Sequence, residues 1–378
     1  MASFVVRSPL SAWFQFAVLL ALVASYARAD SLEQQIDRHL DQVRAIRMVT
    51  DERLLNQYNS EMDAGWRLFS TDKVRSLPIL RARLKSETAA TQPSDLVLLD
   101  TGYYVYLNDQ AEGKAVARDA LERVDFRDPV VVANNKELFE FMHELAKNHD
   151  PAVLPLIERA FLGSNDSIFI PTHALKLDGT LMCAFLYGAY GPESEQTLRR
   201  KLSDKAVAKR VMEILVWIGT PASLPDVSRT LADSPNYDVF ARATSYMMQV
   251  AGPAGRSYLL SLDPKTLDSR SQQYLAKVRN DIEHTSFATF KAALSGISGE
   301  QHLSDEELLK RLDTMIKNYG ADDKTSPVAV LNSGLPAQVL IGKLTAVRSR
   351  TLFRLSDEAL SDVEATNMLL VALRYRGT

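Results

Sequence analysis

Apolar residues recur every three or four positions from about Ser31 to the end of the chain. The segment AVAKRVMEILVWIG shows this spacing, and Gly219 and Pro221 after it supply a stop and a new start. The residues on its apolar face are Val207, Val211, Leu215 and Ile218. No run of alternating β-branched residues with hairpin turns interrupts the pattern. The sequence therefore predicts an all-α fold of helices joined by short turns.

Several of the helix pairs are copies of one another. The stretches PAVLPLIERAFLGS, PESEQTLRRKLSD and PASLPDVSRTLADS begin at Pro151, Pro192 and Pro221, and the first and third openings lie 70 residues apart. That separation corresponds to two units of about 35 residues, which is typical of helical repeats. A further opening at Pro253 lacks the arginine that the other three share, so the pattern fades there.

The shared arginine lies eight residues after each opening proline, at Arg159, Arg200 and Arg229. We expect these residues to occupy equivalent places on the second helices of successive units. An arginine there can lay its stem on apolar surface while its guanidinium bonds the next unit, so we predict a role in stacking rather than in binding. Asp204 and Asp233 are the expected partners.

The repeats resemble HEAT-like repeats. The resemblance rests on Gly219 to Pro225, on Leu231 to Pro235, and on the following Val239 to Ala243, which together give a Gly-x-Pro opening, a leucine-containing second helix, an Asp-x-Pro turn and a Val/Arg-Ala helix. It covers roughly residues 135–284. It implies a right-handed α-solenoid of stacked antiparallel hairpins, an architecture that usually holds other macromolecules, and it implies no catalytic residue.

Four segments are predicted along the chain. They are a signal peptide (1–29), N-terminal helical hairpins (30–134), the HEAT-like repeat region (135–299) and a short C-terminal helical segment (300–378). The last boundary follows from the linker-like SGISGEQH and from Ser304 with Glu307, the pattern of a capping box that begins a helix.

The signal peptide is predicted from Arg7, an apolar run from about Ala12 to Ala24, and the small-residue site Ala27-Arg28-Ala29. We expect cleavage before Asp30 and an exported, periplasmic or secreted protein without stable membrane insertion. The alternative is an uncleaved anchor, although the run is shorter than the ~20 residues that span a bilayer.

The net charge gives no indication of a nucleic-acid partner, and the cysteine content excludes a fold held by intrachain disulfides. The formal net charge is −3, and removal of residues 1–29 takes away two arginines and no acid, so a nucleic-acid partner is not expected. Cys183 is the only cysteine, so an intrachain disulfide is impossible. Its neighbours are apolar and His173 lies ten residues earlier, about 280° round a continuous helix, so we interpret it as a buried structural thiol rather than a nucleophile.

The stretch MHELAKNHD resembles a zinc-protease motif without meeting its requirement. The second histidine should lie four residues after His143, but position 147 is a lysine. His149 lies six residues after His143, which is on another face of a helix. We interpret residues 148–150 as the turn before the repeat opening. The stretches SGLPAQVLIGKLT and GISGE likewise miss the phosphate-loop and hydrolase patterns, so we predict no metal and no cofactor.

Tyrosines and charges provide the remaining candidates. The tyrosines could line a groove for a peptide or glycan, or serve helix packing; they are Tyr103, Tyr104, Tyr106, Tyr187 and Tyr190. Lys343, Arg348, Arg350 and Arg354 precede a group of acids, Asp357, Glu358, Asp362 and Glu364. This pattern indicates either a charge-matched helix pair or a docking patch.

These observations favour an exported interaction scaffold or adaptor that binds a protein partner along the concave surface of a solenoid. The alternative is an enzyme, or a protein that binds a small ligand or glycan in an aromatic-lined pocket between helices. No residue of the sequence is assigned a catalytic role.

Overall fold

A computed structural model describes most of the chain beyond the predicted signal peptide, which lies outside the described residues. The described residues are 30–46, 52–128, 130–131, 135–162, 167–170, 175–284, 287–298, 302–318, 325, 327–351 and 357–376. The chain divides into two compact units, residues 1–125 and 126–378. The boundaries predicted near residues 135 and 300 stay predictions.

The first unit consists of helices whose starts are marked by capping residues. Ser31 and Gln34 form a reciprocal capping box, and Asp72 and Ser94 each accept a hydrogen bond from a backbone N–H of the first turn. The helix that begins after Ser94 and ends at Asn108 is buried on most of its circumference, and it packs against the helices before and after it in the chain. The helices are α1 (Leu32–Ala45), α2 (Glu52–Thr71), α3 (Lys73–Ala89), α4 (Asp95–Asn108) and α5 (Ala111–Arg123).

The second unit begins with a series of helix pairs. In each pair a longer first helix is followed, after a short turn, by a second helix. The first helices of four pairs are α6 (Asn135–Lys147), α8 (Gly179–Tyr190), α10 (Ala208–Ile218) and α12 (Tyr237–Gln249), and α14 (Ser269–His284) follows the fourth pair as a further first helix. The second helices are α7 (Val153–Ile157, continued by a π-helical turn Glu158–Leu162), α9 (Ser194–Lys201), α11 (Leu224–Asp233) and α13 (Gly252–Ser261).

Consecutive first helices pack against one another in chain order, α6 on α8, α8 on α10, α10 on α12 and α12 on α14. Their facing residues are fully buried, as the sequence spacing predicts; on α10 they include Val211 and Leu215. The turns follow the predicted chemistry: Thr220 caps the 3₁₀ turn at Pro221, and Gly252 adopts a φ of 59° before Pro253. The prediction of helices in this region is therefore confirmed.

One segment of the second unit is not helical. Strands β1 (Ser167–Ile170) and β2 (Leu175–Asp178) pair antiparallel, with Ser167 opposite Asp178 and Ile170 opposite Leu175. A strand of four residues is too short for the alternation of apolar and polar residues to distinguish it from a helix, so the sequence pattern does not predict it. Because β2 ends directly before α8, a continuous helix from His173 to Cys183 is excluded; His173 itself lies outside the described residues.

Five C-terminal helices are described, and the two longest of them pack onto the repeat. They are α15 (Phe287–Ser298), α16 (Asp305–Lys317), α17 (Pro327–Asn332), α18 (Ala337–Thr351) and α19 (Asp357–Arg376). Helix α18 contacts α8 and α10, and α19 contacts α12 and α13. Gly188 permits the close approach of α18, since a Cβ there would lie 3.1 Å from the Cβ of Ser349. Helices α18 and α19 therefore cover the first helices α8, α10 and α12, and α19 also reaches the second helix α13.

Candidate functional site

Two adjacent grooves lie on the second-helix face of the second unit. We name them groove A, between the π-helical turn after α7 and helix α9, and groove B, between α9 and α11. Groove A has a volume of about 310 Å³ and is lined by Pro155, Glu158, Arg159, Leu162, Lys201, Asp204 and Val207. Groove B has a volume of about 380 Å³ and is lined by Gln196, Arg199, Arg200, Leu202, Ser203, Asp226, Arg229, Thr230 and Asp233.

The two grooves repeat the same pair of charges. Arg159 in groove A and Arg200 in groove B are equivalent, because each lies eight residues after an opening proline. Asp204 and Asp233 are likewise equivalent, twelve residues after theirs. Each groove thus takes an arginine from the earlier second helix and an aspartate from the end of the later one or from the turn after it. Both aspartates were expected as partners of the arginines, and each lines a groove together with one of them.

Ion pairs between neighbouring second helices form part of the groove walls. Lys201 Nζ lies 2.6 Å from an oxygen of Glu158, and Arg199 Nε donates to Asp226 over 2.6 Å. Thr230 Oγ1 donates to the carbonyl of Leu202 over 3.1 Å. The hydrogen bond to Asp226 raises the pKa of Arg199 above its usual value. These contacts tie each second helix to the next.

The predicted stacking arginines have other surroundings than expected. Arg229 is 70% exposed and pairs with Asp226 on its own helix, not with Asp233. Arg200 is exposed and donates to the carbonyl of Gln196, also within its helix. The guanidinium of Arg159 lies 4.4 Å from the ring centre of Phe126. The stacking role of these three arginines stays a prediction. The arginine that does bond the next second helix is Arg199, the neighbour of Arg200 in the chain.

Glu195 is a buried carboxylate that the sequence pattern does not single out. Glu195 on α9 accepts hydrogen bonds from the backbone N–H and the hydroxyl of Thr220, and from the hydroxyl of Ser223 over 2.5 Å. The hydroxyl of Tyr246 on α12 donates to the carbonyl of Thr220 over 2.5 Å. Glu195 thereby fixes the turn before α11. Its only sequence signal is its place three residues after Pro192, opposite the Gly-Thr-Pro turn of the next unit.

The tyrosines of the first unit serve helix packing. Tyr104 is buried edge-to-face against Trp66 at 5.2 Å between ring centres, and the half-buried Tyr103 lies 5.3 Å from the same ring. Tyr106 is buried with the ammonium of Lys114 5.1 Å from its ring centre. The burial of these rings supports the packing alternative, and their predicted role in binding stays a prediction.

Tyr187 and Tyr190 belong to the second unit. Tyr187 is fully buried, and burial raises the pKa of its hydroxyl, for which the described residues provide no hydrogen-bond partner. Tyr190 is half-buried and its ring lies 5.9 Å from that of His149. The predicted aromatics thus fall into the two separate units, three in the first and two in the second.

The MHELAKNHD stretch has the predicted helix end. Helix α6 ends at Lys147, and His149 lies in the following turn with a φ of 53°. His143 is buried and stacks on Phe139 at 6.4 Å. Burial, together with the nearby charges of Lys147 and Arg350, lowers the pKa of His143 to about 3. Its imidazole is therefore neutral at pH 7 and fills the core.

The thiol and the C-terminal charges also have defined places. Cys183 on α8 is fully buried, as predicted. Lys343 pairs with Asp313 on α16, whereas Arg348 points inward and has no exposed surface, so Arg348 cannot belong to a docking patch. Arg354 and the acidic side chains at the start of α19 lie outside the described part.

Within the described ranges, no three His, Cys, Asp or Glu side chains are grouped so that they could hold a metal ion. None of the helices described is both long and apolar enough to cross a membrane. Comparison of the chain with protein-family models, with curated proteins and with solved structures found no match.

Proposed function

We propose that the second unit is a HEAT-like, right-handed α-solenoid of an exported scaffold protein, and that it binds an extended segment of a protein partner along its second helices. The observation that carries the proposal is the repetition of an arginine and an aspartate at equivalent positions of grooves A and B. The first helices α8, α10 and α12 are covered by α18 and α19, whereas no residue of these two helices lines groove A or groove B.

The spacing of the grooves suits an extended chain. Packed helices lie roughly 8–10 Å apart, and an extended strand advances roughly 3.3 Å per residue. One groove therefore corresponds to about three residues of a bound segment. A partner lying across the second helices would meet the same pair of charges at every third residue.

The chemistry of each groove suits a peptide backbone. A guanidinium donates hydrogen bonds to carbonyl oxygens, and a carboxylate accepts them from N–H groups, so one Arg–Asp pair can satisfy both polar groups of a peptide. Apolar residues in the grooves, Leu162 and Leu202, provide contact area for a side chain of the partner. Recognition through the backbone predicts a broad rather than a strict sequence preference.

A selection with displayed random peptides tests the proposal. We expect the purified protein to enrich binding peptides, and the double variant Arg159→Ala/Arg200→Ala to bind them about tenfold or more weakly, since two charged contacts are lost. The affinities can be measured by fluorescence polarisation. Thermal melts should show that the variant remains folded, because both arginines lie on the exposed surface.

The matched control is Arg311→Ala, which removes an arginine from the surface of α16, away from both grooves. It should leave peptide binding unchanged. Enriched peptides that bind the double variant as tightly as wild type, or a selection that enriches none, would contradict the proposal.

A further inference from the structure

Two arginines are buried where the C-terminal helices meet the repeat. Arg348 on α18 is 0% exposed, and Arg374 on α19 is 3% exposed. Arginine is among the residues least often buried in proteins, and those that are buried are usually paired with an acid. Neither residue forms an ion pair with a described carboxylate.

In the described part of the chain, the groups that bind these two guanidiniums are neutral. Arg348 Nη1 donates to the side-chain oxygen of Asn367 over 2.5 Å. Asn367 Nδ2 in turn donates to the side-chain oxygen of Gln249 over 3.2 Å, and Arg374 Nη1 donates to the backbone carbonyl of Gln249. Asn367 and Gln249 thus link the two arginines in one chain of hydrogen bonds. Among the described residues, the Nε and Nη2 atoms of both arginines have no hydrogen-bond partner.

Both side chains remain charged in this environment. Burial, and then the positive charge of Arg374, lower the pKa of Arg348 to about 9; burial also lowers the pKa of Arg374, to about 10. Both values lie above 7. The carboxylate that acts on Arg374 through space is Glu195, but its oxygens accept the hydrogen bonds of Thr220 and Ser223 described above. Glu195 therefore offsets part of the charge of Arg374 without binding it, whereas Arg348 has no counter-ion among the described carboxylates.

Such an arrangement is unfavourable unless an anion compensates it. A buried charge that is not paired is strongly destabilising, and unsatisfied buried donors add to the cost. The planar fork of a guanidinium matches the oxygens of phosphate-like anions in two parallel hydrogen bonds. The four unpartnered nitrogens therefore offer what an oxyanion requires.

We propose that Arg348 and Arg374 form a buried binding site for one small oxyanion of the phosphate or sulfate class. Two cations suit a doubly charged anion. The complete burial of Arg348 excludes the side chain of another protein as the occupant, so the ligand must be small enough to be enclosed. The start of α13 packs against the stem of Arg374: a Cβ on Gly252 would lie 3.0 Å from its Cβ, which shows how closely the stem is held.

Thermal melts of the full chain in Tris chloride with increasing inorganic phosphate test the site. Once phosphate exceeds its dissociation constant, the melting midpoint of the wild type should rise by about 2–4 °C for each tenfold increase in phosphate. The variant Arg348→Met, which replaces the guanidinium by an unbranched apolar side chain, should lose this response. Any rise that it retains measures the general stabilising effect of phosphate on proteins.

The order of stability provides the sharper result. Without phosphate, Arg348→Met should melt above the wild type, because it removes an uncompensated buried charge. At saturating phosphate the order should reverse. If Arg348→Met melts below the wild type at every phosphate concentration, the guanidinium already has its counter-charge and the proposal is wrong.

The matched control is Arg200→Met, which removes an exposed arginine and should respond to phosphate as the wild type does. A response lost in this variant would place phosphate in groove B and contradict the proposal. Should Arg348→Met fail to fold, calorimetric titration of the wild type decides. It should give one phosphate per chain, displaced by sulfate, and a titration without saturable binding would overturn the site.

Discussion

The imidazole of His143 lies in the core of the second unit, where its charged form is excluded by burial and by two nearby cations. Its pKa of about 3 is far below the ordinary value of 6.5. The unfolded chain therefore binds a proton at this residue over a pH range in which the folded protein does not. Stability from this residue is fully present above pH 6.5 and is lost as the pH falls toward 3.

We expect the free energy of unfolding to fall by about 1.4 kcal/mol per pH unit below pH 6.5 because of His143. The variant His143→Asn, which cannot titrate, should lack this part of the slope. Urea unfolding at pH 7.5, 6 and 5 measures it. His39 of the first unit also has a lowered pKa, so the variant should keep a residual slope. Parallel pH profiles for wild type and variant would refute the assignment.

At the level of elements, polar contacts join neighbouring second helices of the repeat. Asp226 on α11 accepts a hydrogen bond from Arg199 of the previous helix and another from Arg229 of its own. Only the first of these joins two repeats. The two arginines therefore share one carboxylate but differ in what they hold together.

We expect Arg199→Ala to lower the free energy of unfolding by roughly 0.5–1.5 kcal/mol, because it breaks a partly exposed bond between helices. Arg229→Ala should change it by less than about 0.5 kcal/mol, since the residue is exposed and its bond is local. Urea unfolding of both variants decides. A larger loss for Arg229→Ala would restore the stacking role that the sequence pattern indicated.

The sequence predicts those features of the elements that depend on nearby residues. The helix starts at Ser304, Thr220 and Gly252 follow from capping and turn chemistry within a few positions of each residue. The bond from Arg199 to Asp226 spans 27 residues, and nothing local distinguishes Arg199 from Arg200. The repeat spacing therefore identifies the groove arginines but not which neighbour points across to the next helix.

At the level of the whole molecule, the predicted cleavage site of the export signal lies directly before the first described helix, α1. Asp30 pairs with Arg38, its carbonyl accepts a hydrogen bond from Gln35 over 2.8 Å, and Ser31 caps α1. We expect N-terminal sequencing of exported protein to begin at Asp30, because cleavage after Ala29 leaves this cap complete. Exported material that begins at Met1, or within α1, would contradict the prediction.

The placement of the C-terminal helices could not be read from the sequence. Arg348 belongs to a row of cations that indicates a surface, yet packing of α18 on α8 and α10 leaves it without exposure. Hydrophobic spacing predicts that α18 and α19 are helices but not which face of the repeat they cover. That choice depends on contacts between residues far apart in the chain, such as Asn367 and Gln249.

The C-terminal cover also determines when folding can be completed. Gln249 bonds residues 118 and 125 positions away, so the contact order of the second unit is high at this point, whereas repeats alone fold through neighbouring contacts. A chain that emerges with its N-terminus first cannot close the first-helix face until its last helix has appeared. Folding of the second unit is therefore completed only after the whole chain has been synthesised.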